Sequence, residues 1–230
     1  MNVDEAHHIR LLNSWIEGCG TGRKNGEGLY VSHSVEPKWR GGRDIYVKDT
    51  VFTRIKGEPI NIKYKTRNIV LDRILVYKNY ASVNNDPGIV SGQHTDLSDA
   101  GHVIKNSLFI DNRGHDNKFN AVFLFGKGWT AYNNVIAYNE NMYCLRGLKS
   151  SKAYANTCYG NERGFYTTAE DGTNQTMGAD EVMCNIGGDL WNNIQATKSL
   201  FWSVDKRDFR LRKSTSSMKD GGKMNGTLTD

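Results

Sequence analysis

The stretch that decides the fold runs from residue 102 to residue 166, and it contains one pattern three times. The pattern reads HVIKNSLFIDN at 102–112, WTAYNNVIAYN at 129–139 and KAYANTCYGN at 152–161. Each copy is followed by a second apolar segment: NAVFLFG at 120–126, MYCLRG at 142–147 and GFYTT at 164–168. Repetition of short alternating segments indicates a repeat architecture, in which each unit buries its apolar face against its neighbours.

An Asn or Asp follows the first strand-like segment of each repeat through most of the chain. The position is held, at intervals of 23 to 36 residues, by Asn13, Asp49, Asp72, Asn106, Asn133, Asn156 and Asn185. Helical repeats keep a nearly constant length, whereas a coiled sheet tolerates loops of different length between short strands. Asn suits such bends because it tolerates a left-handed backbone, and Asn side chains stacked in successive coils can hydrogen-bond to one another. The repeats therefore predict an all-β parallel solenoid with little helix.

Three segments carry a resemblance to a known superfamily. They are GEPINIKYKTRNIVLDRILVYKN at 57–79, AYNNVIAYNENMYCLRG at 131–147 and DFRLRKSTSSMKDGG at 208–222. They resemble the right-handed parallel β-helix of the pectate-lyase-like superfamily, and the resemblance extends over roughly residues 7–222. It implies a right-handed, single-stranded parallel β-helix of about six to seven coils, forming one domain over residues 1–230 with a closing strand and tail at 197–230. It also implies a carbohydrate-active protein, although one fold hosts many reactions.

Composition limits the class of protein. The chain of 230 residues is long enough to bury a continuous core, and its 38% hydrophobic and 10% aromatic content argues against disorder. A net charge of +5 is compatible with an acidic polymer ligand, such as a uronic-acid polysaccharide, and also with no polyanion at all. The four cysteines show no CxxC and no His-rich spacing, which argues against zinc. Cys144 and Cys158 fall in successive coils, and the sequence leaves open whether they are bonded.

The N-terminal segment MNVDEAHHIRLL is polar and charged, and it has the pattern of neither a signal peptide nor a membrane span. The repeats begin almost at once, and the open end of a solenoid needs a cap. We therefore expect either an N-terminally truncated part of a longer protein or a cap supplied by a partner. Analogy with the fold predicts an extracellular or virion-associated protein. The expected partner is a polysaccharide, with neither nucleic acid nor membrane as a partner.

The second strand of each coil is expected to form one parallel sheet, whose side chains alternate between core and exterior. The pairs predicted to face inward are Leu29/Val31, Ile60/Ile62, Ile89/Ser91, Val122/Leu124, Tyr143/Leu145 and Phe165/Thr167. The outward positions mix cations with aromatic rings, and Cys144 is among them. Those predicted to bind substrate are Tyr30, Asn61, Lys65, Phe123, Phe125, Lys127 and Tyr166. Either this face is a groove for an acidic glycan, or the loops at 78–88 and 111–119 cover its aromatic rings.

The same face suggests a reaction. Lyase chemistry on uronic acids needs a base for the proton beside the carboxylate, a cation to neutralise that carboxylate, and an acid for the leaving oxygen. Lys63 is the candidate base because the neighbouring Lys65 would favour its neutral form, and Arg146 is the candidate cation. His94 is the candidate acid, with Tyr166 as the alternative. The leading hypothesis is thus a polysaccharide lyase that cleaves an acidic glycan by β-elimination, although the sequence does not decide whether the chain is an enzyme.

Two other functions stay open. One is a non-catalytic glycan-binding or structural β-helix module, of the adhesin or phage-tail type. The other is a glycoside hydrolase, which needs clustered carboxylates at a spacing that the available acids do not show; these are Asp96, Asp99, Asp111, Asp116, Glu140, Glu162, Glu170 and Asp171. The first five of these acids could instead hold Ca²⁺, although no calcium motif is present and no metal ligand is assigned. His7, His8 and His102 lack metal-ligand spacing and are expected at polar edges.

Overall fold

The structure is a computed structural model. It describes residues 2–3, 6–20, 26–31, 41–63, 65–81, 90–95, 101–114, 119–126, 128–147, 152–154, 156–161, 166–168, 174–176, 201–203, 206 and 208–211. Within these residues the chain forms β-strands and no α-helix. No helix long and apolar enough to cross a membrane occurs among them.

The strands form three large sheets and two small ones. Sheet A contains, in spatial order, β1 (Asn2–Val3), β4 (Leu29–Val31), β7 (Ile60–Ile62), β11 (Val90–Thr95), β15 (Phe119–Gly126), β18 (Met142–Gly147), β21 (Tyr166–Thr168) and β22 (Asn174–Thr176). Sheet B contains β2 (His7–Leu12), β5 (Arg43–Lys48), β8 (Arg67–Asp72), β12 (His102–Lys105), β16 (Trp129–Tyr132) and β19 (Lys152–Tyr154). Sheet C contains β3 (Trp15–Glu17), β6 (Val51–Thr53), β9 (Leu75–Tyr77), β13 (Leu108–Ile110), β17 (Val135–Ala137) and β20 (Thr157–Tyr159). The small sheets pair β10 (Tyr80–Ala81) with β14 (Arg113–Gly114), and β23 (Phe201–Ser203) with β24 (Asp208–Leu211).

The chain visits the three large sheets in rotation. From β2 to β21 it supplies a strand to sheet B, then to sheet C, then to sheet A, and repeats that order. Strand pairing is parallel throughout these sheets, except that β22 runs antiparallel to β21. The predicted all-β parallel architecture is therefore confirmed, and the topology is compatible with a parallel β-solenoid.

The core lies inside the three sheets, where like side chains stack in register. In sheet B, Leu71, Ile104 and Ala131 occupy successive strands at the same level, and all are fully buried. Sheet C contributes a matching column of Phe52, Val76, Phe109 and Ile136. Because each buried aliphatic or aromatic side chain contributes roughly 2 kcal/mol of hydrophobic transfer, these columns are the main stabilising feature of the stack.

The bend between sheets B and C is a column of left-handed residues, with φ between 48° and 55°. It consists of Asn13, Asp49, Arg73, Asn106 and Asn133. Two of the predicted bend residues are wrong. Asp72 ends β8 and pairs in register with Lys48 and Lys105, so Arg73 takes the bend. Asn156 is buried and takes the level of Asn134, the residue after the bend.

Two buried Asn ladders line the inner side of the bends. In the longer one, the side-chain amide of Asn79 donates to Oδ1 of Asn112, that of Asn112 to Asn139, and that of Asn139 to Asn161, over 2.7 to 2.9 Å. Each amide also donates to a backbone carbonyl, such as Asn112 to Val76 O at 3.0 Å. Each of the acceptor oxygens also receives a backbone N–H, so these polar atoms find their partners within the protein. A second ladder joins Asn134 to Asn156 at 2.9 Å.

Two further expectations need correction. Strict alternation predicts Cys144 on the outer face of sheet A, but this residue is buried in the core and forms a disulfide with Cys158 of β20. The bond ties sheet A to sheet C. The sequence also predicts His102 at a polar edge, but it is fully buried, with its ring 4.4 Å from that of Trp129. His7 and His8 are exposed, as expected.

Candidate functional site

The strands of sheet A bring five of the predicted site residues to one level: Tyr30, Asn61, Phe123, Arg146 and Tyr166. The strand register aligns Tyr30 with Asn61, Asn61 with Ser91, Ser91 with Phe123, Phe123 with Arg146, and Arg146 with Tyr166. Of the pair predicted to face inward, Ile89 lies outside the described residues, and the position predicted for Ser91 is wrong by one residue. Val90 and Gly92 take the level of the buried Ile60 and Ile62, which leaves Ser91 at the level of Asn61.

Lys63 and Tyr30 form the best-defined part of this face. Lys63 follows β7, and its backbone N–H donates to Val31 O of the neighbouring strand at 3.0 Å. Its ammonium lies 6.0 Å from the centre of the Tyr30 ring, within the range of a cation–π contact. Both side chains are half-buried. A cation beside an aromatic face is an arrangement that can contact a charged sugar ring.

Lys65 lies apart from this pair. It is exposed and sits in a turn beyond the end of β7, with φ of 55°. The chain has left the sheet by this point, because Thr66 turns back to donate its hydroxyl to Lys63 O at 2.9 Å. The structure therefore does not place Lys65 in the outward row of sheet A.

His94 lies in a β-bulge of β11. Gly92 pairs with Leu124 and Thr95 with Gly126, so two residues of β11 oppose Phe125 alone. A bulge of this kind changes the direction of side chains and is common beside functional sites. The backbones of His94, Phe123, Phe125 and Tyr166 are described, but their side chains lie outside the described part of the structure. Lys127 lies outside the described residues altogether.

Asn61 is less accessible than the sequence suggests. Its side chain is 1% exposed, and its amide donates to Oε2 of Glu58, which is also 1% exposed. Among the described residues, Asn61 Oδ1 has no hydrogen-bond partner. Asn61 can therefore contact a sugar only if the residues that bury it move aside.

Glu58 is the residue of this region that sequence analysis missed. Its burial depends on the close approach of two glycine-rich segments, since a Cβ on Gly57 would lie 3.0 Å from the Gly26 backbone. Gly28 and Leu29 both donate their N–H groups to Pro59 O, at 3.1 and 2.9 Å. The only signal in the sequence is an acidic residue directly before Pro59, which does not distinguish a buried carboxyl from an exposed one.

Arg146 is half-buried on β18 and stands three strands away from Asn61 along the stack. With a strand spacing of about 4.8 Å, the backbone positions of Asn61 and Arg146 are about 14 Å apart. A chain of sugars running along the stack could therefore contact Lys63 and Arg146 through different rings. To act on the same ring, the two long side chains must extend toward each other.

The acidic residues proposed for a hydrolase or a calcium site are mostly not described. Asp96, Asp99, Asp116, Glu162, Glu170 and Asp171 lie outside the described residues. Asp111 is half-buried in the bend after β13, and Glu140 is exposed beside Arg113, with Oε2 3.5 Å from Arg113 Nε. Within the described part of the chain, no three His, Cys, Asp or Glu side chains converge as metal ligands do.

Comparison with known proteins identifies no protein similar to this chain. No model of a protein family matches the chain, and neither a curated protein nor a solved structure does. The functional interpretation therefore depends on the geometry of sheet A itself.

Proposed function

We propose that the chain is a right-handed parallel β-helix of the pectate-lyase-like type that binds an acidic polysaccharide along the outer face of sheet A. The observation that carries the proposal is the Lys63 ammonium over the Tyr30 ring at 6.0 Å, in the same sheet as Arg146. Aromatic rings stack on sugar faces, while Lys and Arg bind carboxylates, Arg through two parallel hydrogen bonds. The rotation of the chain through sheets B, C and A supports the coiled form, with one coil per rotation.

Binding is the part of this function that the geometry supports best. The separation of about 14 Å between the levels of Asn61 and Arg146 suits a polymer with a carboxylate on successive sugars. The net charge of +5 favours approach of a polyanion. A binding or structural module of the adhesin or phage-tail type requires nothing more than this.

The catalytic form of the proposal is a lyase, and the neighbouring positions of Lys63 and His94 favour it. β7 and β11 are paired, with Ile62 beside Gly92, so Lys63 and the bulge containing His94 lie at about the same level. In β-elimination, the side-chain nitrogen of Lys63 takes the proton beside the carboxylate, a carbon–carbon double bond forms, and the glycosidic carbon–oxygen bond breaks. His94 gives its proton to the leaving oxygen, while Arg146 stabilises the negative charge on the carboxylate.

Titration calorimetry with polygalacturonate, alginate and hyaluronan, beside a neutral glucan, tests the binding proposal. We expect binding to at least one acidic polymer, weakened by salt, and no binding to the glucan. Arg146→Ala should weaken binding about tenfold or more, while Arg43→Ala on the exposed end of β5 should leave it unchanged. The proposal is contradicted by equal affinity for acidic and neutral polymers, and also by a lack of binding to every polymer.

The ultraviolet absorbance of an unsaturated uronate, followed during incubation with the polymer that binds, tests the lyase form. A rise that Lys63→Ala abolishes and Lys65→Ala preserves supports Lys63 as the base and excludes Lys65 from that role. A flat trace with a polymer that does bind leaves the binding module as the function and removes the lyase. Release of reducing ends without that absorbance indicates a hydrolase instead.

A further inference from the structure

The backbone of Lys63 is held from two sides at the end of β7. Its N–H donates to Val31 O at 3.0 Å, and its carbonyl oxygen accepts the hydroxyl of Thr66 at 2.9 Å. Thr66 is fully buried and follows Lys65, whose φ of 55° turns the chain away from sheet A. The Thr66 hydroxyl therefore closes this turn onto the residue whose ammonium lies over the Tyr30 ring.

A second residue, His102, sets the direction of the bond from Thr66. The Ile69 N–H donates to His102 Nδ1 at 3.3 Å, so the single ring proton of the neutral imidazole lies on Nε2. His102 Nε2 lies 3.2 Å from Thr66 Oγ1 and donates to it. The hydroxyl of Thr66 then has its own proton left to donate, and the acceptor is the carbonyl oxygen of Lys63.

The His102 ring is itself fixed by contacts within sheet B. The His102 backbone N–H donates to Gly128 O at 2.9 Å, and the ring centre lies 4.4 Å from that of Trp129. Both side chains are buried. A buried ring with its donor and its acceptor both occupied is held in one orientation, so sheet B supplies a rigid reference for the end of β7.

We propose that Thr66 and His102 are positioning residues of the glycan site, which hold Lys63 where its ammonium meets the ligand. This inference rests on the proposed function, in which Lys63 contacts the acidic polymer. The Lys side chain is long and flexible, so a fixed backbone and the Tyr30 ring limit the positions that the ammonium samples. A ligand that finds the ammonium in place binds with a smaller loss of conformational freedom.

A double-mutant cycle tests the proposal, with affinity measured by titration calorimetry for polygalacturonate, alginate or hyaluronan, whichever binds. Thr66→Val keeps the shape of the side chain without its hydroxyl and should weaken binding about threefold or more. Thr66→Ser keeps the hydroxyl and should stay within about twofold of the parent. Lys63→Ala should weaken binding by itself, and adding Thr66→Val to it should have no further effect, because the positioned side chain is gone.

The matched control is Thr50→Val. Thr50 is also buried, and its hydroxyl donates to Lys48 O at 2.9 Å in the bend between sheets B and C. The control therefore loses the same kind of hydrogen bond away from sheet A, and its affinity should equal the parent's. Circular dichroism checks that each variant keeps its strands.

Substitution separates the roles of the two ring nitrogens of His102. The side-chain amide of Gln reaches about as far as Nε2 and can donate to Thr66, whereas that of Asn reaches only as far as Nδ1. If His102 acts through Thr66, His102→Gln should keep more of the affinity than His102→Asn does. A purely structural role would instead make affinity follow the stability of the two variants.

Amide hydrogen exchange, followed by NMR, gives a second measurement that needs no ligand. The Lys63 N–H should exchange about tenfold faster or more in Thr66→Val, and at the parent's rate in Thr50→Val. Unchanged exchange at Lys63 in Thr66→Val, or an equal effect of Thr66→Val with and without Lys63→Ala, overturns the positioning proposal alone. If Lys63→Ala binds every polymer as the parent does, the glycan contact of Lys63 is wrong, and the positioning proposal is overturned with it.

Discussion

At the scale of the single residue, His102 is a buried base held in its neutral form. Its Nδ1 accepts the Ile69 N–H at 3.3 Å, so the ring proton lies on Nε2, which faces Thr66 Oγ1 at 3.2 Å. Thr66 in turn donates its hydroxyl to Lys63 O at 2.9 Å, so a chain of hydrogen bonds runs from the Ile69 N–H through His102 and Thr66 to Lys63 O. Burial lowers the pKa of His102 to about 3, because the core has no solvent to stabilise the imidazolium.

This burial predicts an acid-sensitive fold. The unfolded chain has the ordinary His pKa of 6.5, so between pH 6.5 and about 3 it takes up a proton that the folded chain does not. The free energy of unfolding therefore falls as the pH falls through that window, by roughly 1 kcal/mol per pH unit. Urea denaturation at about pH 7 and about pH 4 measures the difference.

The variant His102→Asn isolates this contribution. The Asn oxygen can accept the Ile69 N–H but does not titrate, so the variant should be less stable at neutral pH and lose less stability on acidification. His7→Asn, at an exposed position, should behave as the parent does. If His102→Asn and the parent lose equal stability on acidification, His102 is not the group responsible.

At the scale of the element, the Asn ladder predicts an unequal cost of substitution along it. The side chain of Asn112 makes four hydrogen bonds in the ladder: it donates to Asn139 Oδ1 and Val76 O, and it accepts from the side-chain amide and the backbone N–H of Asn79. Asn112→Ala leaves several buried polar groups without partners, so we expect a loss of about 3 kcal/mol or more in the free energy of unfolding. Asn68→Ala removes one exposed bond to Asp44 and should cost under about 1 kcal/mol. Similar losses in the two variants would show that the ladder is not a cooperative unit.

The disulfide is the second element with a measurable contribution. Cys144 and Cys158 are separated by 14 residues and connect sheets A and C. Closing a loop of that length contributes about 3 kcal/mol by restricting the unfolded chain. The double variant Cys144→Ala/Cys158→Ala should lose roughly that amount in thermal or urea unfolding, while Cys19→Ala, which removes no disulfide, should lose little.

The elements also show what the sequence can and cannot predict. Strands and bends follow from the repeated alternation and its Asn residues, because those are properties of each coil alone. The shift from Asp72 to Arg73 at a bend does not follow, since Arg rarely adopts a φ of 52° and here its side chain is held by Asp49 in the preceding coil. The burial of Glu58 and His102 is equally hidden, because it depends on segments far apart in sequence.

At the scale of the whole molecule, the net charge of +5 should draw a polyanion toward the chain before any specific contact forms. Dissociation depends instead on the contacts of the bound state, which the glycan proposal assigns to sheet A. Loss of one positive charge elsewhere on the surface should therefore change mainly the association rate, and only slightly. Loss of a contact in sheet A should change the dissociation rate.

Arg146→Ala and Arg43→Ala remove the same charge at different places, because Arg146 lies in sheet A and Arg43 in sheet B. Both variants should associate with the acidic polymer at a rate within about twofold of the parent's, and only Arg146→Ala should dissociate about tenfold faster or more. Stopped-flow mixing at low and at high salt measures the two rates. If Arg43→Ala dissociates as fast as Arg146→Ala, then charge alone holds the polymer and the contacts of sheet A do not.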